Sequence, residues 1–116
     1  MGNAELKNLS EIKNLQFLKL NETEVTDKGL KHLADLNHLR FLSLGDTKVT
    51  DIGLKEITRL KNLHSLILTN TRVTDAGLEE LAAIRSLKLL VLLRTKVTYH
   101  GADELREALP KCKVRR

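Results

Sequence analysis

Aromatic residues are almost absent from this chain: Phe17, Phe41 and Tyr99 are all there are, with no tryptophan. Its core must therefore be aliphatic. A single cysteine, Cys112, excludes an internal disulfide and favours a reducing compartment. No uninterrupted apolar stretch approaches the roughly 18 residues that a membrane span requires. The opening Met1-Gly2-Asn3-Ala4-Glu5-Leu6 has no apolar signal core, and Leu6 stands where a myristoylation signal wants Ser or Thr. These absences lead to the expectation of a cytoplasmic, soluble protein without a membrane partner.

Chemistry-bearing constellations are missing as well. His32, His38, His64 and His100 are never spaced by four residues, so no zinc pair is formed. Asp27, Asp51 and Asp75 recur, but without the glycine-rich nonapeptide of calcium-binding repeats. Ser10, Ser43, Ser65 and Ser86 lack a nucleophile motif, there is no phosphate-binding loop, and Cys112 has no histidine tied to it by a motif. The expectation is a protein that is not an enzyme, with no catalytic residue, no metal and no cofactor.

What the chain has in abundance is repetition. Leu15, Leu39, Leu63 and Leu87 each restart the same 24-residue pattern. Within it, apolar residues at positions 1, 4 and 6 (Leu15, Leu18, Leu20) alternate as in a strand with one buried face. Position 11 is always valine: Val25, Val49, Val73 and Val97. The spacing then changes to 16, 19 and 22 (Leu30, Leu33, Leu36), one stripe of a helix. Each repeat reads as strand, turn, helix. Thr26, Thr50, Thr74 and Thr98 are placed to cap the helices, and Asp27, Asp51 and Asp75 add negative charge to the first turn. Gly29, Gly53, Gly77 and Gly101 sit in that same turn, where glycine costs up to about 1 kcal/mol relative to alanine; either a close backbone approach or a special dihedral requires them.

The aliphatic side chains of one repeat cannot offset the entropy of ordering its backbone, so the copies must stack into one continuous parallel sheet backed by helices. The boundaries follow: a half-repeat helix over 5–14, with Leu6, Leu9 and Ile12 on its stripe; repeats over 15–38, 39–62, 63–86 and 87–110; and a cap strand or tail over 111–116. Leu105, Ala108 and Leu109 lead into Pro110, which should stop the last helix. Val114 falls one period after Leu90, with Lys113 and Arg115 putting charge on an exposed sheet edge.

The pattern LxxLxLxxTxVTDxGLxxLxxL resembles the leucine-rich repeat family over nearly the whole chain. Position 9, often an asparagine in the family, is Thr23, Thr47, Thr71 and Thr95 here. The second half is similar to bacterial leucine-rich repeats and to those of F-box proteins, but the repeat cysteines of the latter are missing, which argues against the eukaryotic subclass. The resemblance implies an α/β, right-handed solenoid with a parallel sheet on the concave face and helices on the convex face. It also implies protein recognition as the usual activity, by analogy.

In that arrangement positions 3, 5, 7 and 8 face a ligand. The candidate partner-binding residues are Phe17, Lys19, Phe41, Ser43, Ser65, Ile67, Leu89, Val91, Leu93 and Arg94, with Phe17, Phe41, Ile67, Leu89 and Val91 as anchors. Packing alone does not demand apolar residues there, and contiguous exposed apolar surface usually means contact. Coverage by the C-terminal tail, or self-association, would also account for Leu89, Val91 and Leu93. Position 8 runs from Glu22 and Asp46 to Arg94, a charge gradient of the kind that sets orientation more than affinity.

The partner expected is a protein or peptide, bound by a monomer or a weakly self-associating chain. One alternative is a scaffold segment of a larger repeat array. Another is weak nucleic-acid binding by Lys88, Arg94, Lys96, Lys111, Lys113, Arg115 and Arg116, which supply much of the net charge of +5. The shortage of aromatics for stacking bases argues against it.

Overall fold

A computed structural model describes all residues, 1–116. Five short strands, β1 (Phe17–Lys19), β2 (Phe41–Ser43), β3 (Ser65–Ile67), β4 (Leu89–Val91) and β5 (Lys113–Arg115), form one parallel sheet in chain order. The register never slips: Leu18, Leu42, Leu66, Leu90 and Val114 lie opposite one another strand by strand, all buried. Since a slip of one residue would turn every leucine to the other face, the 24-residue period and the register are the same constraint.

Behind the sheet lie α1 (Asn3–Leu9), α2 (Asp27–Leu30), α3 (Asp51–Ile57), α4 (Asp75–Leu81) and α5 (Tyr99–Ala108). The second helix is cut short and continues as a 3-10 turn over Lys31–Leu33. A single cluster of 30 buried residues runs from Leu6 to Val114 without a break, so the repeats share one core. Packed stacking of this kind is what makes the elements stable at lengths of three to ten residues.

The N-terminal half repeat differs from its expected bounds. Its helix is Asn3–Leu9, and residues 10, 11, 13 and 14 lie in turns. Ile12 is 46% exposed although its counterparts Leu36, Leu60 and Ile84 are buried. The reason is positional: those three are covered by the preceding repeat's side chains, whereas Ile12 lies on the end face. At the other end Ala108 is exposed, while Leu105 and Leu109 are buried as expected. The chain forms β5 after Pro110, pairing Leu89 with Lys113 and Val91 with Arg115. The tail thus extends the sheet sideways and does not lie across it.

The turn from strand to helix explains together the Thr and Gly of all four repeats and the Asp of the first three. Thr50, Thr74 and Thr98 cap as expected, their hydroxyls accepting from the amides of Ile52, Ala76 and Gly101 at 3.2, 3.3 and 3.1 Å. The aspartates do more than charge a helix end. Asp27, Asp51 and Asp75 each reach into the next repeat, accepting from the backbone amide of Thr50, Thr74 or Thr98 at 2.8, 2.7 and 2.8 Å and from its hydroxyl at 2.5, 2.5 and 2.6 Å.

In the first step of this ladder Asn3 takes the aspartate's place. Its Oδ1 accepts from the Thr26 amide at 3.0 Å and its Nδ2 donates to Thr26 Oγ1 at 2.8 Å. Thr26 consequently makes no side-chain cap of its own helix, unlike the other three. The glycines serve the same contacts. None has a positive φ, and a Cβ on Gly53 would overlap Asp27 Oδ1 and come within 2.7 Å of Leu30 Cδ1. Close approach, not a special dihedral, is the requirement.

Candidate functional site

The exposed face of the sheet is built by alternation: with Leu18, Leu42, Leu66 and Leu90 turned inward, their neighbours at positions 3 and 5 face out. Phe17 and Phe41 stack there with ring centroids 4.3 Å apart and planes 6° from parallel. Phe17 remains 58% exposed, on the edge strand, and Phe41 is half-buried beside it. Ile67, Leu89 and Val91 are likewise half-buried, and Leu93, just past β4, is 45% exposed. The apolar residues therefore hold position 3 in the first two repeats, position 5 in the third, and positions 3, 5 and 7 in the fourth. Lys19 is exposed at one end of this band, Arg94 at the other, and Ser65 is half-buried within it.

Ser43 is a correction. It stands at the outward position 5, yet only 2% of it is exposed. Its short side chain lies between Lys19 and Ile67 in register, and its hydroxyl is engaged by Asn21 Oδ1. A residue so covered is not available to a partner without rearrangement.

Position 8 has a backbone role that its charge pattern concealed. Glu22, Asp46, Asn70 and Arg94 all lie in the left-handed region, with φ between 54° and 57°. Asp and Asn tolerate this conformation better than Glu or Arg do. Asn70 also donates to Asp46 Oδ1 at 2.6 Å, linking neighbouring turns. Position 9 is local too: Thr23, Thr47, Thr71 and Thr95 each donate to the carbonyl three residues earlier at 2.7, 2.7, 2.8 and 2.7 Å. The connection between repeats has passed to the Asp–Thr pairs.

The basic residues at the C-terminal end do not form one patch. Lys113 and Arg115 lie on β5, Arg94 and Lys96 in the turn leaving β4, and Lys88 and Lys111 on the opposite rim. The one aromatic among them is occupied: Arg116 sits 3.8 Å over the Tyr99 ring and donates from Nε to the Val97 carbonyl at 2.7 Å. Hydrogen bonds from the Thr98 hydroxyl, foremost, and from its amide hold the Asp75 carboxyl below its ordinary value of 3.8. Burial pushes the Cys112 thiol above its ordinary 9.0, with Lys88 opposing the shift.

Set beside known proteins, the chain finds its likeness in bacterial repeat proteins. A leucine-rich repeat protein of Leptospira interrogans superposes with a TM-score of 0.74 at 26% identity, over 95% of this chain and 27% of its own. Internalin C2 of Listeria monocytogenes gives 0.70 at 24% identity over 93% of this chain and 45% of its own. A further Listeria monocytogenes internalin gives 0.61 at 22% identity, over 94% and 36%. The chain thus spans less than half the length of each. The two internalins, both under 25% identical, support the fold alone. No curated protein matches. The family described as Leucine Rich repeat matches residues 12–34, 35–57 and 59–82, well over half of the chain. Members of that family are commonly protein-interaction modules and generally not enzymes. With three consecutive repeats matched and a five-stranded parallel sheet stacked in register, this chain belongs to the leucine-rich repeat family.

Proposed function

We propose that the chain recognises a protein or peptide laid across its concave sheet, with Phe17, Phe41, Ile67, Leu89 and Val91 as anchors and Lys19, Ser65, Leu93 and Arg94 around them. The observation that carries it is the stacked Phe17–Phe41 pair, solvent-facing on a sheet whose fold needs no aromatic at that position. Aromatic anchors on a rigid sheet lose little conformational entropy on binding and give large contact area. Because β5 lies beside β4, the chain's own tail leaves Leu93 open to a partner. The charges at position 8 orient the partner along the solenoid axis.

The test is capture of partners by wild type and by the double variant Phe41→Asp plus Val91→Asp, after circular dichroism has established that both fold. Loss of a specific partner is expected. Capture of the same set by a folded double variant would sink the proposal. One observation favours assembly as a second reading: the end face exposes Ile12, and β1 is an edge strand with no neighbour on that side. Assembly predicts a size that grows with concentration, and a constant sedimentation coefficient would eliminate it.

A further inference from the structure

The rim where the chain turns from helix into strand carries charge that the fold does not use. Arg40, His64 and Lys88 occupy the same place in successive repeats, and their backbones are joined in a row: the His64 amide donates to the Arg40 carbonyl and the Lys88 amide to the His64 carbonyl, each at 2.8 Å. Lys61, Arg85 and Lys111 come from the adjoining turns and are exposed. The ion pairs of the chain, His100–Glu104 and Arg106–Asp103, lie on α5 and involve none of these six. The five cations among them, Arg40, Lys61, Arg85, Lys88 and Lys111, have no carboxylate partner.

Two recesses open on the same rim. One, of about 300 Å³, is lined by Arg85, Lys88 and Lys111 above an apolar floor that includes Leu87, Leu109 and Pro110, and no carboxylate lines it. The other, of about 230 Å³, is wholly polar, lined by Gln16, His38, Arg40 and Asn62. Arg40 is held there only weakly, its Nη2 3.4 Å from His64 Nε2. Since His64 Nδ1 donates to the Asn62 carbonyl at 2.7 Å, Nε2 is the acceptor, and the guanidinium is free to turn towards an anion.

We propose that this rim is a second binding site, separate from the concave face, for an acidic peptide segment that carries an apolar side chain. The apolar side chain enters the recess over Leu87, Leu109 and Pro110, and flanking carboxylates meet Lys88, Arg85 and Arg40. The dimensions agree. Adjacent parallel strands lie about 4.8 Å apart, so Arg40 and Lys88 are roughly 10 Å apart at their backbones, and alternate side chains of an extended peptide, about 7 Å apart, bridge that gap within reach of flexible cationic side chains. The chemistry also separates this partner from other polyanions. Phe17 and Phe41 are on the sheet face and Tyr99 lies under Arg116, so no ring on this rim can stack a base. No large apolar side chain is exposed among these cations, so none enters a bilayer.

Fluorescence anisotropy with a labelled acetylated Glu-Glu-Leu-Glu-Glu peptide tests this, with a Glu-Glu-Ser-Glu-Glu peptide, an oligouridine of similar length and phosphatidylserine vesicles alongside. Reversing two rim charges, Arg85→Glu plus Lys88→Glu, should weaken the leucine peptide by about tenfold or more, from the loss of two direct ion contacts. Arg94→Glu plus Lys96→Glu on the opposite rim should change it by less than about twofold, as for charges screened beyond a Debye length. Phe41→Asp plus Val91→Asp should leave it unchanged, which separates this site from the concave one. Equal losses in both charge-reversal variants, equal binding of the serine peptide, or tighter binding of the oligouridine or the vesicles would each overturn the proposal.

Discussion

Replacing Asp51 tests the account of how the repeats are joined. Its carboxylate accepts two hydrogen bonds from the next repeat, from the Thr74 amide at 2.7 Å and the Thr74 hydroxyl at 2.5 Å. Hydrogen bonds to a charged group contribute about 1.5–3 kcal/mol each. Both residues are half-buried, so water replaces part of what is lost, and Asp51→Ala should cost about 2–3 kcal/mol in all. With a urea m-value of about 1–3 kcal/mol/M, the midpoint of unfolding followed by circular dichroism should fall by about 1–2 M.

Asp51→Asn sharpens the test, because the molecule already contains that arrangement in Asn3 and Thr26. There the amide nitrogen donates to the threonine hydroxyl, and the threonine no longer caps its helix. Asn at 51 can keep the bond from the Thr74 amide, reverse the other, and forfeit the cap of Thr74 on Ala76. A cap is worth about 1 kcal/mol, so the cost should be close to that and well below that of alanine. The double-mutant cycle of Asp51→Ala with Thr74→Val should return a coupling of about 1–2 kcal/mol. A cost under about 0.5 kcal/mol for Asp51→Ala would refute the role of these pairs in joining repeats. Equal costs for alanine and asparagine would refute the argument from donor direction.

Gly53→Ala should destabilise by about 1–2 kcal/mol in denaturant unfolding, since overpacking against Asp27 and Leu30 outweighs the gain of up to about 1 kcal/mol that alanine brings to an unobstructed helix; a stabilised variant would contradict the close approach. Arg94→Asn should stabilise by about 0.5–1 kcal/mol, as the left-handed φ of 56° is less strained for asparagine, and an unchanged midpoint would count against strain there. Asp75 governs an acid limb. Its folded pKa lies below its ordinary value of 3.8, so its contribution is present above that value and is lost as the pH falls through the folded pKa. Stability curves measured through that acid range should therefore be flatter for Asp75→Asn than for wild type, and parallel curves would remove Asp75 from the explanation.

The repeat, its strand–turn–helix order and, with Ile12 and Ala108 at the two ends excepted, the identity of the inward residues were legible in the sequence, because periodicity is a local property that any single copy displays. The sequence also located the outward positions from which Phe17, Phe41, Ile67, Leu89 and Val91 were read. It placed Thr and Asp in the helix cap, but it could not reveal that Asp27 serves Thr50 rather than its own helix. The two lie 23 residues apart, and each of the first three copies carries both, so the pattern in those copies does not distinguish a bond within a repeat from one between repeats; only the fourth departs, with Tyr99 at the aspartate position. The glycines were ambiguous for the same reason: only the stacked neighbour supplies the atoms that a Cβ would strike.

Other features were decided by tertiary structure alone. Ser43 reads as exposed along its strand and is buried by the longer side chains in register on either side. Arg40, His64 and Lys88 are scattered at intervals of 24 in the chain, and became one row only when each strand lay against the next. Local spacing dictates how a repeat folds; stacking brings residues a full period apart within one strand spacing, and that contact decides which side chains are covered, which are coupled and which charges share a rim.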